Sequence, residues 1–106
     1  MSQLSYQALL QNLHTKFLVC SPPHQKLEVE LIEVSGRRLS DSGKTGQLES
    51  FSVTFWGPSS RFLAQAIYRF EHSQIGNFDL FIVPIGADPE HYVYEAVFNR
   101  PVEAGD

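Results

Sequence analysis

Cysteine is nearly missing: Cys20 stands alone among 106 residues, so no internal disulfide forms and no thiolate cluster is available for zinc. Basic residues are sparse too. The eight Lys and Arg are scattered singly apart from Arg37-Arg38, and twelve Asp and Glu outweigh them to a formal net charge of −4. Without a basic stripe to neutralise phosphates, neither nucleic acid nor an anionic membrane surface is an expected partner. No apolar run reaches the roughly 20 residues of a membrane-spanning helix. The N-terminal stretch "MSQLSYQALLQNLHTK" lacks the basic leader, apolar core and small-residue cleavage site of a signal peptide, and the expected location is the cytoplasm.

What is present is the composition of a folded chain, 42% hydrophobic and 19% charged, at a length that suits one domain. Tyr6, Leu9, Leu10, Leu13 and Phe17 recur at helical spacing behind Ser2 or Ser5 as N-cap, which predicts one amphipathic helix of two to three turns. Beyond it the period changes to two. "KFLVC" is short and β-prone, and Pro22-Pro23 stops it. In "KLEVELIEV", Leu27, Val29 and Leu31 alternate with Glu28 and Glu30, and the slip at Leu31-Ile32 predicts a bulge or a strand end.

Residues 35–50, "SGRRLSDSGKTGQLES", carry no apolar period and read as a long mobile loop. After it "FSVTFWGP" alternates Phe51, Val53 and Phe55 with Ser52, Thr54 and Trp56, and ends at the Gly57-Pro58 turn. "AQAIYRFEH" and "FDLFIVPI" flank "SQIG", a hairpin link in which Gly76 supplies a positive φ. Pro84 cannot donate to a ladder, so its strand runs at an edge or bulges there. "HYVYEAVFN" gives the last strand, and 101–106 read as a frayed tail. The expectation is a single domain over 1–106, ordered from about 4 to 100. Its fold class is α+β: a strongly curved antiparallel sheet or small open β-barrel of five or six strands, with one short N-terminal helix over a face or mouth.

Few residues are arranged for chemistry. "SGKTG" suggests a phosphate loop at Gly43, Lys44 and Thr45, but the spacing puts Arg38 where the first glycine belongs, and a strand pattern follows instead of a helix. Glu71-His72 and Glu90-His91, with Asp88 nearby, are the parts of an acid-base or metal site. Adjacent strand residues face opposite sides, however, so neither pair converges on one ligand. The plainer reading has His72 closing a hairpin against a turn amide, and Asp88, Glu90 and His91 in an exposed turn begun by Gly86. No serine sits in a Gly-x-Ser-x-Gly elbow, and Cys20 has no neighbouring base. No cofactor, metal or small-molecule ligand is implied.

Four blocks in order, "FSVTFWGP", then Leu63, Gln65 and Tyr68, then "EHSQIGNFDLFIVPIG", then "YEAVFNR", resemble an uncharacterised bacterial family of about one hundred residues, a domain of unknown function. The likeness runs from about Phe17 to Arg100. The chain departs from the family pattern at Ala66, often glycine there, and at Trp56, often basic. Similar proteins are often encoded near phage-tail-collar-like proteins, so the resemblance implies an accessory or structural role. The expected function is a non-catalytic binding or assembly module that contacts a protein partner or another copy of itself. Trp56, Arg61 and Phe62 are the expected contact patch, and Gly57, Pro58, Gly76 and Pro84 the structural turns. The alternative is a small enzyme or metal-binding protein using Glu71, His72 and His91.

Overall fold

A computed structural model describes residues 4–21, 25–41 and 46–102. One helix, α1 (Tyr6–Gln11), precedes seven strands: β1 (Lys16–Ser21), β2 (Gln25–Val34), β3 (Arg38–Asp41), β4 (Gln47–Pro58), β5 (Ala66–His72), β6 (Gly76–Ala87) and β7 (His91–Pro101). All pairings are antiparallel, in the order β2-β1-β5-β6-β7-β4-β3, and β2 also pairs with β4. That last pairing closes six strands into a barrel and leaves β3 as an added strand on β4. The architecture is therefore mainly β: the small antiparallel barrel and the short helix expected from sequence are present, but the barrel is closed where a curved sheet or an open barrel is expected, and the helix is too minor for an α+β class. Closure removes the free edges that an open sheet would expose.

The helix is shorter than its apolar spacing suggests. Ser5 caps it by accepting from the Ala8 amide, but Asn12 ends it, its side-chain amide donating to the Ala8 carbonyl. His14 then takes a left-handed turn at φ 68° and donates its amide to the Leu31 carbonyl. That turn redirects the chain into β1, so Phe17, in phase with the helix in sequence, points into the barrel from a strand instead.

Alternation within the strands sends one parity inward. Phe17 and Val19 of β1, Val29 and Leu31 of β2, Phe51, Val53 and Phe55 of β4, Phe70 of β5, Leu80 and Ile82 of β6 and Tyr94, Ala96 and Phe98 of β7 form the core with Leu9 and Leu63. The two irregularities expected from sequence are both present. The β2–β4 register shifts between Leu31 and Glu33, and the β6–β7 register shifts between Pro84 and Gly86, where proline withholds its donor. Gly76 closes the β5–β6 hairpin at φ 97°. At Gly57 a Cβ would come within 2.8 Å of the Tyr94 ring, so glycine there gives the core room for a large aromatic.

The expected loop over 35–50 contains a strand. Arg38 to Asp41 pair with Ser50 to Gln47. The phosphate-loop segment Gly43, Lys44 and Thr45 lies outside the described residues, as do Pro22 and Pro23 and the tail beyond 102. Pro101, expected in the frayed tail, instead pairs with Leu48.

Candidate functional site

The ladder between β2 and β4 runs from Val34↔Val53 to Glu30↔Trp56. At that end of the ladder lies a groove of about 250 Å³ lined by Lys16, Glu28, Glu30, Trp56, Gly57, Pro58, Glu90 and His91. Trp56 faces outward because Phe55 and Gly57 on either side face the core. Its indole stacks on the His91 imidazole, centroids 4.4 Å apart and planes 15° apart, while 36% of the residue stays exposed. The imidazole is itself held. His91 is paired with Pro58 across the β4–β7 ladder, and its Nδ1 lies 3.3 Å from Asp88 Oδ1.

That aspartate organises the turn. Asp88 Oδ1 accepts from the amides of Glu90 and His91 at 2.8 and 2.7 Å. The Glu90 amide leads in holding the carboxyl below its ordinary value, with desolvation opposing and the His91 amide assisting. The exposed turn expected of Asp88, Glu90 and His91 is thus present, and it serves to seat the ring beneath Trp56.

Charge in the groove is unbalanced. Lys16 Nζ meets Glu30 Oε1 at 3.0 Å, and His14 approaches Glu30 Oε2 at 3.8 Å. Glu28 and Glu90, both exposed, make no side-chain ion pair among the described residues. Three carboxylates therefore line the groove with the indole, against one ammonium.

The other sequence-selected residues go elsewhere. Arg61 donates to Ser21 Oγ at 2.8 Å and to the Gln25 side chain, and Phe62 packs edge-on against Tyr92. Trp56, Arg61 and Phe62 thus have three different sets of partners. Leu63, next in the chain after Phe62, is buried and donates its amide to Tyr94 Oη at 2.9 Å, which anchors the β4–β5 connection. Burial raises the Tyr94 hydroxyl's pKa, the amide opposing.

Glu71 and His72 separate as alternation requires. Glu71 faces out to Lys26 Nζ at 3.0 Å and lies 3.6 Å from Cys20 Sγ; the Lys26 hydrogen bond leads in lowering its pKa. His72 faces in, tilted against Phe17. Its Nδ1 accepts from the amides of Gln74 and Ile75 at 3.0 and 3.2 Å. The ring proton therefore sits on Nε2, which donates to Thr15 Oγ1 at 2.9 Å, and Thr15 in turn donates to the Asn12 carbonyl. Burial lowers the imidazole's pKa, consistent with a neutral ring. His72 opens on a separate cavity with Gln11, Asn12, Thr15, Lys16, Ser73 and Gln74, so the two imidazoles line different spaces. No group of three or more His, Cys, Asp or Glu is arranged to hold a metal among the described residues.

One charged cluster was missed in the sequence. Glu49, fully buried on β4, is bound at Oε1 by Arg37 Nε at 2.6 Å and at Oε2 by Arg100 Nε at 2.7 Å. Both guanidiniums lie near aromatic faces, Arg37 over Tyr6 and Arg100 over Phe98 and Phe51. Burial pushes the Glu49 carboxyl up, but the hydrogen bonds from Arg100 and Arg37 outweigh it and hold the pKa below its ordinary value. The available signal was parity: Glu49 is in phase with Phe51, Val53 and Phe55.

A family model described as a domain of unknown function, DUF6916, matches residues 4–98. No curated protein and no solved structure matches the chain.

Proposed function

We propose, for a chain that belongs to this DUF6916 family of domains of unknown function, a non-catalytic binding or assembly role centred on the Trp56 groove. The observation that carries the reading is the seating of Trp56: a large apolar ring, stacked on a fixed imidazole and still open to solvent, at the mouth of a cleft. Tryptophan in such a setting is typical of the anchors that dominate protein contacts. Phe62, also exposed, and Arg61 lie outside that cleft and contribute to the contact only if the partner extends past it.

The alternative, an enzyme or metal site built on Glu71, His72 and His91, has less support. Both His72 nitrogens are occupied by turn amides and Thr15, Glu71 is turned to the other face, and His91 is stacked and bonded to Asp88. A photo-cross-linking residue placed at position 56, and separately at exposed Ile67 on β5, tests the docking role in the native cell. The expected result is a discrete adduct from position 56 that position 67 does not give. The same adducts from both positions, or none from 56, would overturn it.

A further inference from the structure

The groove's own chemistry narrows the partner. A purely apolar anchor site would line its groove with aliphatic side chains, whereas Trp56 shares its groove with Glu28, Glu30 and Glu90, and with Lys16 as the one ammonium. Glu30 is engaged by Lys16 and His14, so among the described residues the groove carboxylates without an ion pair are Glu28 and Glu90, both exposed. An exposed indole attracts cations through its ring quadrupole, and carboxylates beside it supply the counter-charge. Guanidinium suits both halves of the site, since it is planar enough to lie on an indole and forked enough to bond a carboxylate through two N–H groups.

We propose that the Trp56 groove docks a basic, extended segment of a partner protein, with an arginine side chain placed on the indole and bonded by Glu28 or Glu90. This rests on the docking role argued above and adds the charge of the occupant. The sparse basic content of the chain, eight Lys and Arg against twelve Asp and Glu, makes a second copy of itself a poorer match than a basic partner.

Trp56 is the single tryptophan, so its fluorescence reports on the groove without labelling. The probes are three dodecapeptides in which glycine alternates with arginine, serine or glutamate. The arginine peptide should produce a saturable change, with affinity roughly tenfold or more above the serine peptide and weakening as salt is added. The glutamate peptide should produce none. Combining Glu28→Gln with Glu90→Gln, two exposed positions, should reduce the arginine peptide's affinity by about the same factor, whereas Asp79→Asn on β6 should leave it unchanged. Equal binding of the arginine and serine peptides, no saturable change at millimolar concentration, or equal weakening by Asp79→Asn would overturn the proposal. Cross-links from position 56 together with indifference to peptide charge would leave the docking role standing and remove the cationic occupant alone.

Discussion

At the start of β4 a carboxylate is enclosed by two arginines, and at its end an indole is left open among three carboxylates. Glu49 has both oxygens taken by guanidinium Nε atoms and no exposed surface. Trp56 has one ring partner, His91, and a third of its surface free. Both departures from ordinary placement sit on one strand, seven positions apart. The first is completed by the chain itself: Arg37 arrives from the segment before β3 and Arg100 from β7. The second is completed only in part, because Asp88 and His91 fix the ring and Glu28 and Glu90 are left over. A polar group that must be satisfied for folding is satisfied internally; a residue with unused capacity on a fixed support is one that folding does not require.

That contrast is broken most directly at Glu49. Removing the carboxylate in Glu49→Ala leaves two guanidiniums close together beside Tyr6, Phe51 and Phe98 with their shared counter-charge gone. Breaking a buried ion pair on one side costs about 3–5 kcal/mol. The low end applies here, since both arginines keep about a quarter of their side chains in water. Denaturant unfolding should show a loss of about 3 kcal/mol, and a loss under about 1 kcal/mol would mean that the cluster is a surface ion pair in energetic terms.

Next in size is the hairpin that holds His72. Gly76 lies at φ 97°, where a β-branched side chain is strained, so Gly76→Val should cost on the order of 1–3 kcal/mol. An unchanged denaturation midpoint would contradict the turn geometry.

Acid separates the two buried groups by pH. His72 has a lowered folded pKa because burial disfavours its charged form, and protonating Nδ1 would set an N–H against two turn amides. Below the unfolded value of about 6.5 the unfolded state takes up the proton first. The stability from the neutral ring is therefore full above that pH and declines as pH falls from there toward the depressed folded value. Glu49, also lowered, gives a second decline that begins below the unfolded carboxylate value of about 4.3 and proceeds as pH falls through the folded one. In His72→Asn the side-chain oxygen still accepts from the turn amides but does not titrate. Stability measured from about pH 3 to pH 7 should lose its upper decline, below about pH 6.5, in that variant and keep the lower one, below about pH 4.3; an upper decline that persists would assign it to another group.

These two sites were legible in the sequence to very different degrees. His72 as the hairpin's closing acceptor follows from its position before "SQIG", and the bulges at Leu31 to Glu33 and Pro84 to Gly86 follow from a parity slip and a missing donor. Such features are local, and their causes lie within a few residues. The Glu49 cluster joins residues 37, 49 and 100, and two of those positions fell in a stretch whose glycines and serines masked a strand. The helix is shorter than its sequence period for a related reason: Phe17 keeps helical phase by coincidence, and the left-handed His14 marks where the helix period ends. Alternation turns Trp56 outward, as it is in the structure, but Arg61 and Phe62, its neighbours along the chain, have other partners. In a closed barrel its neighbours in space come from across the strands, at His91, Glu28 and Glu30. Closure itself depends on β2 meeting β4, a pairing that no local pattern encodes.

The smallest expected effect on stability is at Trp56, and its smallness is what makes it informative. The buried alternative, an indole sealed in a second core layer, would cost roughly 3–5 kcal/mol on truncation to alanine. In this structure the residue keeps 36% of its surface exposed and its ring stacks on His91, so Trp56→Ala removes one aromatic pair, worth about 0.5–1.5 kcal/mol, plus partial burial. The aromatic pair alone then lowers the midpoint of thermal unfolding by roughly 2–12 °C, at about 4–8 °C per kcal/mol for a domain of this size. Phe55 and Gly57 face the core on either side, so the strand and its closure with β2 should survive, with far-ultraviolet circular dichroism unchanged. Association through the groove should be lost in the same variant, because the surface that stacks on a partner's side chain is the surface removed. His91→Ala sharpens the distinction: it should release the indole from its support and weaken docking, with a stability change no larger than that of Trp56→Ala. If Trp56→Ala instead costs several kcal/mol while binding by the folded fraction persists, the ring belongs to the core and the comparison between the two ends of β4 fails.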